Sequence, residues 1–448
     1  AHIDSRYAQK VLQDTVYSYG AADNGYGCAT IMESVALALK YRGEWRQGIK
    51  VLLTDSEEWK MLGIHNAIEN NHEIFDNVGF VINIDARGVK GPALLFETGN
   101  NNSKVMDLYE FAKLPYTYTF TSVVYKMMPT FTDYTPLKAE YPGMNFSTIV
   151  DINTYHTDLD NFGNISLPSI QHYGAQIEPV AGEYLTNHIY RDVNYLKSDS
   201  DNVSFTIPVL GLFNFTKGQY LLFNAITLAL FCLIFCFSII TGRIRPVKTL
   251  ATAGRLLLYA LITFAAGTLV AWGIAAIVGA EFSFFGLVRG IQFDEWEYIG
   301  AVVLTLLIFA GFYIRKRKRS SDKTSSSAIR KSASSSGATK YCFNILYGIM
   351  LLLVVLSAAA YFSVGENFFF AVPLAIACAS LLLWRIIHWR GIILAGIVTI
   401  LLLVISFCYI VAVALTTGAM GAVLMLVFIY AALLVPMIDL YCRKEKTI

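Results

Sequence analysis

Hydrophobic positions along this chain fall into two regimes that meet near residue 215. Before that point short apolar runs alternate with polar turns; beyond it the runs are long and almost uncharged. In the first regime, residues 28–42 place Ile31, Val35 and Leu39 at helical spacing, and a second helix is expected over 59–70. Residues 49–53 read as a strand. The continuous apolar run VGFVINI, residues 78–84, suits a central strand covered on both faces. Further strands are expected over 93–97 and 144–150, and helices over 103–113 and 167–188. This alternation predicts an α/β fold, a three-layer, mostly parallel sheet with helices on both faces.

The second regime holds seven apolar segments, residues 220–240, 255–278, 298–314, 341–364, 368–387, 392–415 and 418–438. Each is near the ~20 residues that a membrane-spanning helix needs. The expected organisation is a globular domain over 1–195, a linker over 196–217, and an all-α multi-pass transmembrane domain over 218–448. Seven spans exceed what anchoring requires.

Basic residues recur on every second loop: Arg243, Arg245 and Lys248; residues 315–319 with Arg330 and Lys331; Arg385 and Arg390; Arg443, Lys444 and Lys446. The intervening loops are poor in them, with only Arg289 between Glu281 and Glu297. The basic loops are therefore expected in the cytoplasm and the globular domain on the other side. That topology accounts for the basic, serine-rich loop 315–340 without a nucleic-acid or lipid ligand. The span interiors carry almost no ionisable residues, which argues against an ion-coupled transporter or an intramembrane protease.

Composition fits this division. Hydrophobic residues make up 55% of the 448, above the range of ordinary soluble proteins. The net charge of +2 gives no reason to expect a nucleic-acid partner. Of seven cysteines only Cys28 lies in the first regime, so neither a disulfide framework nor a cysteine zinc site is indicated. The sequence opens at Ala1 with a motif already at His2, and is expected to be a fragment whose natural start precedes it.

Metal-type ligands collect at strand ends and turns. His2 and Asp4 lie two apart; Asp23 precedes a helix; Glu57 and Glu58 sit on the turn after residues 49–53. Asp85 ends the central strand, and His156 follows the last one. Two adjacent glutamates at a helix start are commonly solvated, favoured there by the helix dipole. Two imidazoles and three carboxylates with a spare glutamate suit a pair of zinc ions, one carboxylate bridging them. Asp4 is placed to orient His2, and Glu57 is left as the base.

The order His-x-Asp, Asp, Glu-Glu, Asp, His resembles the co-catalytic zinc aminopeptidase family, which also contains glutamate carboxypeptidase, glutaminyl cyclase and the transferrin-receptor ectodomain. The phrases GAADNGYG, LLTDSEEWKMLG, INIDARGVKGPALLFETG and YHTDLDN are similar to its membrane-bound branch, the endoplasmic-reticulum metallopeptidase with its vacuolar and bacterial relatives. The resemblance implies a zinc aminopeptidase-like domain lacking its first strands. It implies two Zn2+ per chain, a peptide substrate trimmed from one end (most of all the amino end), and a lipid bilayer as partner. By this likeness Asp23 bridges the metals, Glu58 and His156 complete one site, and His2 and Asp85 the other. Glu57 is then the general base and Asp4 the support of His2. Arg87 and Asp133 are substrate-side or structural residues, and His65, His72, His172 and His188 match no ligand position.

Two other readings share the fold: a glutaminyl-cyclase-like acyltransferase with a single zinc, and a receptor-type scaffold, against which the intact ligand set argues. Five Asn-x-Ser/Thr sequons, at Asn101, Asn145, Asn164, Asn202 and Asn214, are compatible with a lumenal domain. A bacterial cell membrane with the catalytic domain outside is the favoured location. Neither substrate side chain nor oligomeric state is readable.

Overall fold

The computed structural model describes residues 1–6, 8–12, 15–128, 130–286, 295–323 and 330–443. It divides into two units, Ala1–Tyr220 and Leu221–Ile448. The first contains a hairpin of β1 (Ala8–Leu12) and β2 (Thr15–Ser18), then α1 (Gly25–Leu39), α2 (Leu62–Asn70), β3 (Val81–Ala86) and β4 (Leu94–Thr98). It continues with α3 (Ser103–Tyr109), α4 (Thr119–Met127), β5 (Gly143–Thr148), α5 (Leu167–Thr186), and a second hairpin, β6 (Asn202–Ile207) with β7 (Gly211–Thr216).

The sheet that carries the domain has the order β3-β5-β4. β3 and β5 run parallel, in register from Val81 against Gly143 to Ala86 against Thr148. β4 is antiparallel to β5, so this sheet is mixed. The connection from β3 to β4, residues 87–93, is too short for the crossover that a parallel strand requires. Successive side chains of β3 point to opposite faces. Ile82 and Ile84 join the core formed with Tyr26, Tyr109, Phe146, Tyr173 and Ile177 under α1, α3 and α5. Val81 joins a second core with Ile64, Ala67, Phe75, Tyr134 and Leu137, on the side of α2. Helices thus cover both faces of the sheet, as the pattern predicted.

Three local expectations differ. Residues 49–53 do not form a strand; only Thr54 pairs, in a parallel bridge with His2. An apolar groove of about 830 Å3, lined by Val51 and Leu52 on one side and by Ile82 and Ile84 on another, leaves the segment without a ladder partner. Residues 196–217, expected as a linker, contain the β6–β7 hairpin, whose Val203, Phe205 and Ile207 are buried. The period-two alternation is present there but brief. α4 was not anticipated, because TFTSVVY is rich in β-branched and aromatic residues that favour strands.

The second unit continues α6 (Lys217–Ile240) into α7 (Pro246–Val278), α8 (Glu295–Lys323), α9 (Arg330–Val364), α10 (Phe368–Ile387), α11 (Gly391–Ser406), α12 (Cys408–Leu415) and α13 (Met420–Cys442). Among the described residues five helices are long and apolar enough to cross a membrane: α6, α7, α9 from Ala338, α10 and α13. α11 and α12 meet at a 51° bend and make a sixth if they cross as one broken span. The remaining expected span, 298–314, falls within α8. Arg289, Lys444 and Lys446 lie outside the described residues. α7 and α13 cross closely at Gly267 and Gly421: a Cβ on Gly267 would come 2.7 Å from the Gly421 Cα.

A charged group is buried just past the expected end of the last span. α13 runs past residue 438 and buries Asp439. Asp439 Oδ2 accepts from Tyr313 Oη at 2.8 Å and Arg443 Nη2 at 2.6 Å, and Oδ1 lies 3.0 Å from Arg317 Nη1.

Candidate metal centre

The first residues pair with the segment that leads into the Glu57–Glu58 turn. Thr54 N donates to Ala1 O at 3.1 Å and Ile3 N to Thr54 O at 2.8 Å, which holds His2, 2% exposed, in the floor of the site. Asp4 then ties two parts together. Its Oδ1 and Oδ2 accept from the backbone N–H of Glu57 and Glu58 at 3.0 and 3.1 Å, and Oδ1 lies 3.3 Å from His2 Nδ1.

The turn is held in a costly shape. Ser56, Lys60 and Met61 adopt left-handed backbone conformations, with φ of 58°, 67° and 56°. Such conformations persist where the surroundings over-determine them, commonly at functional sites. Gly63, at the start of α2, packs so closely that a Cβ would lie 2.1 Å from Asp55 O.

Asp23 precedes α1, whose Asn24 cap accepts from Gly27 N at 3.0 Å and donates from Nδ2 to Ile84 O at 2.8 Å. That bond joins the Asp23 loop to β3 one residue before Asp85. Tyr173 on α5 fixes the ends of two strands, since its hydroxyl donates to Asp85 O and accepts from Thr148 N, both at 2.6 Å. His156 adopts φ of 56° and stacks on Tyr155 at 3.6 Å between ring centroids.

These elements converge. His2 Nε2 lies 3.2 Å from Asp23 Oδ1 and 3.8 Å from Asp85 Oδ1. His156 Nε2 lies 3.4 Å from Asp23 Oδ2 and 2.9 Å from Glu58 Oε2. Two groups of potential ligands result, His2–Asp23–Asp85 and Asp23–Glu58–His156, each with its atoms within 4.8 Å of one another. Asp23 is common to both and offers a different oxygen to each histidine. Glu57 also falls within reach, grouped with His2 and Glu58.

Five carboxylates around two imidazoles leave a surplus of negative charge. Burial opposes a charged His2, but Asp23, Asp4 and Asp85 outweigh it and raise its pKa far above the usual value. Burial likewise opposes a charged His156, and Asp23 and Glu58 raise it to about 9. Burial, then the charge of Asp85, pushes the Glu57 carboxyl up to about 9. The surplus holds protons that metal dications would displace. The donor set fits such ions. His156 Nε2 is buried and has no hydrogen-bond partner although Glu58 Oε2 is close by, so the two atoms converge on shared space rather than on each other.

All seven residues expected in the site, His2, Asp4, Asp23, Glu57, Glu58, Asp85 and His156, are brought together. His172 is not among them: its Nδ1 accepts from Ala93 N at 3.2 Å, and burial lowers its pKa to about 4. Asp133 lies behind the site, hydrogen-bonded by Thr54 Oγ1. Arg87 stands between Tyr125 and Tyr155, 5.8 and 5.6 Å from their centroids. Asp160 was missed. Its carboxylate accepts from Ala22 N at 2.7 Å and Asp23 N at 3.0 Å and so fixes the carboxylate common to both groups. Its position in YHTDLDN, four residues after His156, was the available signal.

The description "Peptidase family M28" matches residues 1–181. Over 158 residues, 34% of this chain and 16% of the relative, the sequence is 27% identical to a vacuolar membrane protease of Ajellomyces dermatitidis (strain ER-3 / ATCC MYA-2586). It is 28% identical over 175 residues to endoplasmic reticulum metallopeptidase 1 of Mus musculus, 38% of this chain and 19% of that protein. The human protein of that name is 27% identical over 201 residues, 44% of this chain and 22% of its own length. The chain thus spans about a fifth of the length of these relatives. No solved structure matches it significantly. Residues 1–181, which carry the clustered histidines and carboxylates, thus match peptidase family M28, and the relatives found are the endoplasmic-reticulum and vacuolar membrane proteases that the motifs resemble.

Proposed function

We propose that the chain is the membrane-anchored catalytic part of a zinc metallopeptidase that removes residues from the end of a peptide, most of all the amino end. The observation that carries this reading is Asp23, whose two oxygens face two histidines, each with its own further carboxylate. Asp23 would bridge two zinc ions, with His2 and Asp85 on one and Glu58 and His156 on the other. When bound, the zinc pair would polarise the scissile carbonyl and acidify a water beside it. Two dications nearly balance five carboxylates, which keeps the pocket receptive to a peptide's charged amino group.

The chain's own residues do the rest. Asp4 keeps the His2 ring and the Glu57–Glu58 backbone in fixed relation. Glu57, the carboxylate left over when the ligands are assigned, takes a proton from the water and returns it to the leaving amine. Arg87, with its aromatic walls, gives the substrate side a positive border.

On the full-length protein, a chelator abolishes hydrolysis of chromogenic aminoacyl substrates and zinc restores it, with two zinc ions bound per chain. One zinc per chain with acyl transfer would sink the reading in favour of a cyclase. Removal of a hydrogen-bonding group behind a ligand typically weakens metal binding about 10–100-fold. Asp160→Ala is expected to do so, read by chelator competition; unchanged affinity would show that Asp160 does not position Asp23.

The alternation of basic loops supports a peptidase domain outside the cytoplasm. A reporter fused after Lys446 then reads cytoplasmic, while a tag near Lys197 is reached from outside; both on one side would break this topology. Two of the five sequons, Asn145 and Asn202, are buried at 0% and 2% exposure and are poor glycan acceptors in the folded domain. That leaves Asn101, Asn164 and Asn214 as the sequons that carry the lumenal signal.

A further inference from the structure

Arginines at the helix ends of the second unit are treated in two ways. Arg317 and Arg443 are paired with Asp439, at 3.0 and 2.6 Å. Arg243 and Arg385 have no carboxylate partner among the described residues. Arg385, in the last turn of α10, donates from Nη2 to Ser238 Oγ on α6 and to Tyr347 Oη on α9, the latter at 2.9 Å. Its Nε and Nη1 are buried and donate to nothing. Arg243, just beyond α6, likewise has a buried Nη1 without an acceptor.

The surroundings hold both groups in place. The Arg385 guanidinium lies 4.8 Å from the Phe237 centroid, and that of Arg243 lies 5.6 Å from the Phe343 centroid. Ser238 and Tyr347 are fully buried and already engaged, Ser238 Oγ donating to Tyr347 Oη at 2.6 Å. The two arginines converge on Ser238, whose backbone oxygen accepts from Arg243 N at 3.0 Å and whose hydroxyl accepts from Arg385 Nη2. A guanidinium remains charged at any physiological pH and only donates. Like charges with unused donors, gathered at one place, lack an anion.

We propose that Arg243 and Arg385, backed by Ser238 and Tyr347, form a binding site for a phosphate oxyanion between α6, α9 and α10. The three donors without acceptors belong to two guanidinium groups, so the ligand must offer several oxygens, as a phosphate does and a single-atom anion does not. The site lies at the ends of α6 and α10 that carry basic residues, the level at which lipid phosphates meet basic pockets between helices. The phosphate of an anionic phospholipid and free inorganic phosphate share this chemistry.

The test uses full-length protein, delipidated in detergent, with native mass spectrometry as readout. Wild type is expected to retain one phosphatidylglycerol per chain at least tenfold more tightly than diacylglycerol. The double variant Arg243→Gln/Arg385→Gln loses that excess. Lys248→Gln, at an exposed residue in the first turn of α7, keeps it, and Arg385→Lys, with charge but no fork, falls between. Displacement of the lipid by millimolar inorganic phosphate would identify the soluble anion as a ligand of the same site; resistance to it would assign the site to the lipid. Equal retention of phosphatidylglycerol and diacylglycerol by wild type, with no phosphate bound, would overturn the proposal whether or not the variants fold. So would a folded double variant that binds like wild type.

Discussion

Glu57→Gln is expected to lower kcat by about 10²–10⁴, the usual contribution of a general acid–base group, while the two zinc ions of the proposed site and substrate binding are retained. The backbone of Glu57 is fixed by Asp4 whatever its side chain, because the contact is through the Glu57 N–H. Glutamine keeps the shape of the side chain and cannot hold the proton. Glu58 is the converse case. It lies 2.9 Å from His156 Nε2, so Glu58→Gln weakens metal occupancy, and excess zinc partly restores activity. Metal content and kcat, measured side by side on the two variants, separate the roles. Loss of metal from Glu57→Gln with retention in Glu58→Gln would exchange them; near-normal kcat with two zinc ions in Glu57→Gln would end the mechanism.

Asp23→Asn is expected to remove both metal ions of the proposed site, where His156→Ala removes one. The two Asp23 oxygens lie 3.2 and 3.4 Å from different histidines, and an amide replaces one oxygen with a donor that cannot ligate. The amide also removes the charge that most directly balances the pair. The loss in activity should exceed roughly 100-fold, the upper end seen when only a group behind a ligand is removed. The check is zinc content by elemental analysis on all three proteins. An Asp23→Asn protein that still held two zinc ions would show that the carboxylate does not bridge.

Much of the site was legible because its residues fall at the ends of elements with plain signals. Asp85 ends an apolar run that could only be a central strand, and Glu57 and Glu58 precede a periodic helix. What the sequence did not reveal depends on contacts between distant segments. Asp160 reaches back to Ala22 and Asp23, and Tyr173 on α5 joins the ends of β3 and β5. A tyrosine at a core-facing helical position looks the same whether or not its hydroxyl serves a neighbouring strand. The strand expected over 49–53 failed for a related reason. Its composition was right, but a strand exists only with a partner to pair with, and the groove beside it supplies none. The β6–β7 hairpin was hidden by its brevity and its closeness to the first apolar helix.

The pairing of Asp439 with Arg443 bears on how the last helix reaches its place. Asp439 lies in the last turn of α13 and Arg443 just beyond its end, four residues on, and the two are in contact at 2.6 Å. A carboxylate carried alone into a bilayer is strongly disfavoured, by about 2.5–3.5 kcal/mol at the centre of a helix even on translocon insertion scales. With its own counterion one turn away, α13 enters the lipid as a neutral unit and does not wait for another helix to balance it. Arg317, contributed by α8, pairs with the same carboxylate at 3.0 Å and so links α8 to α13.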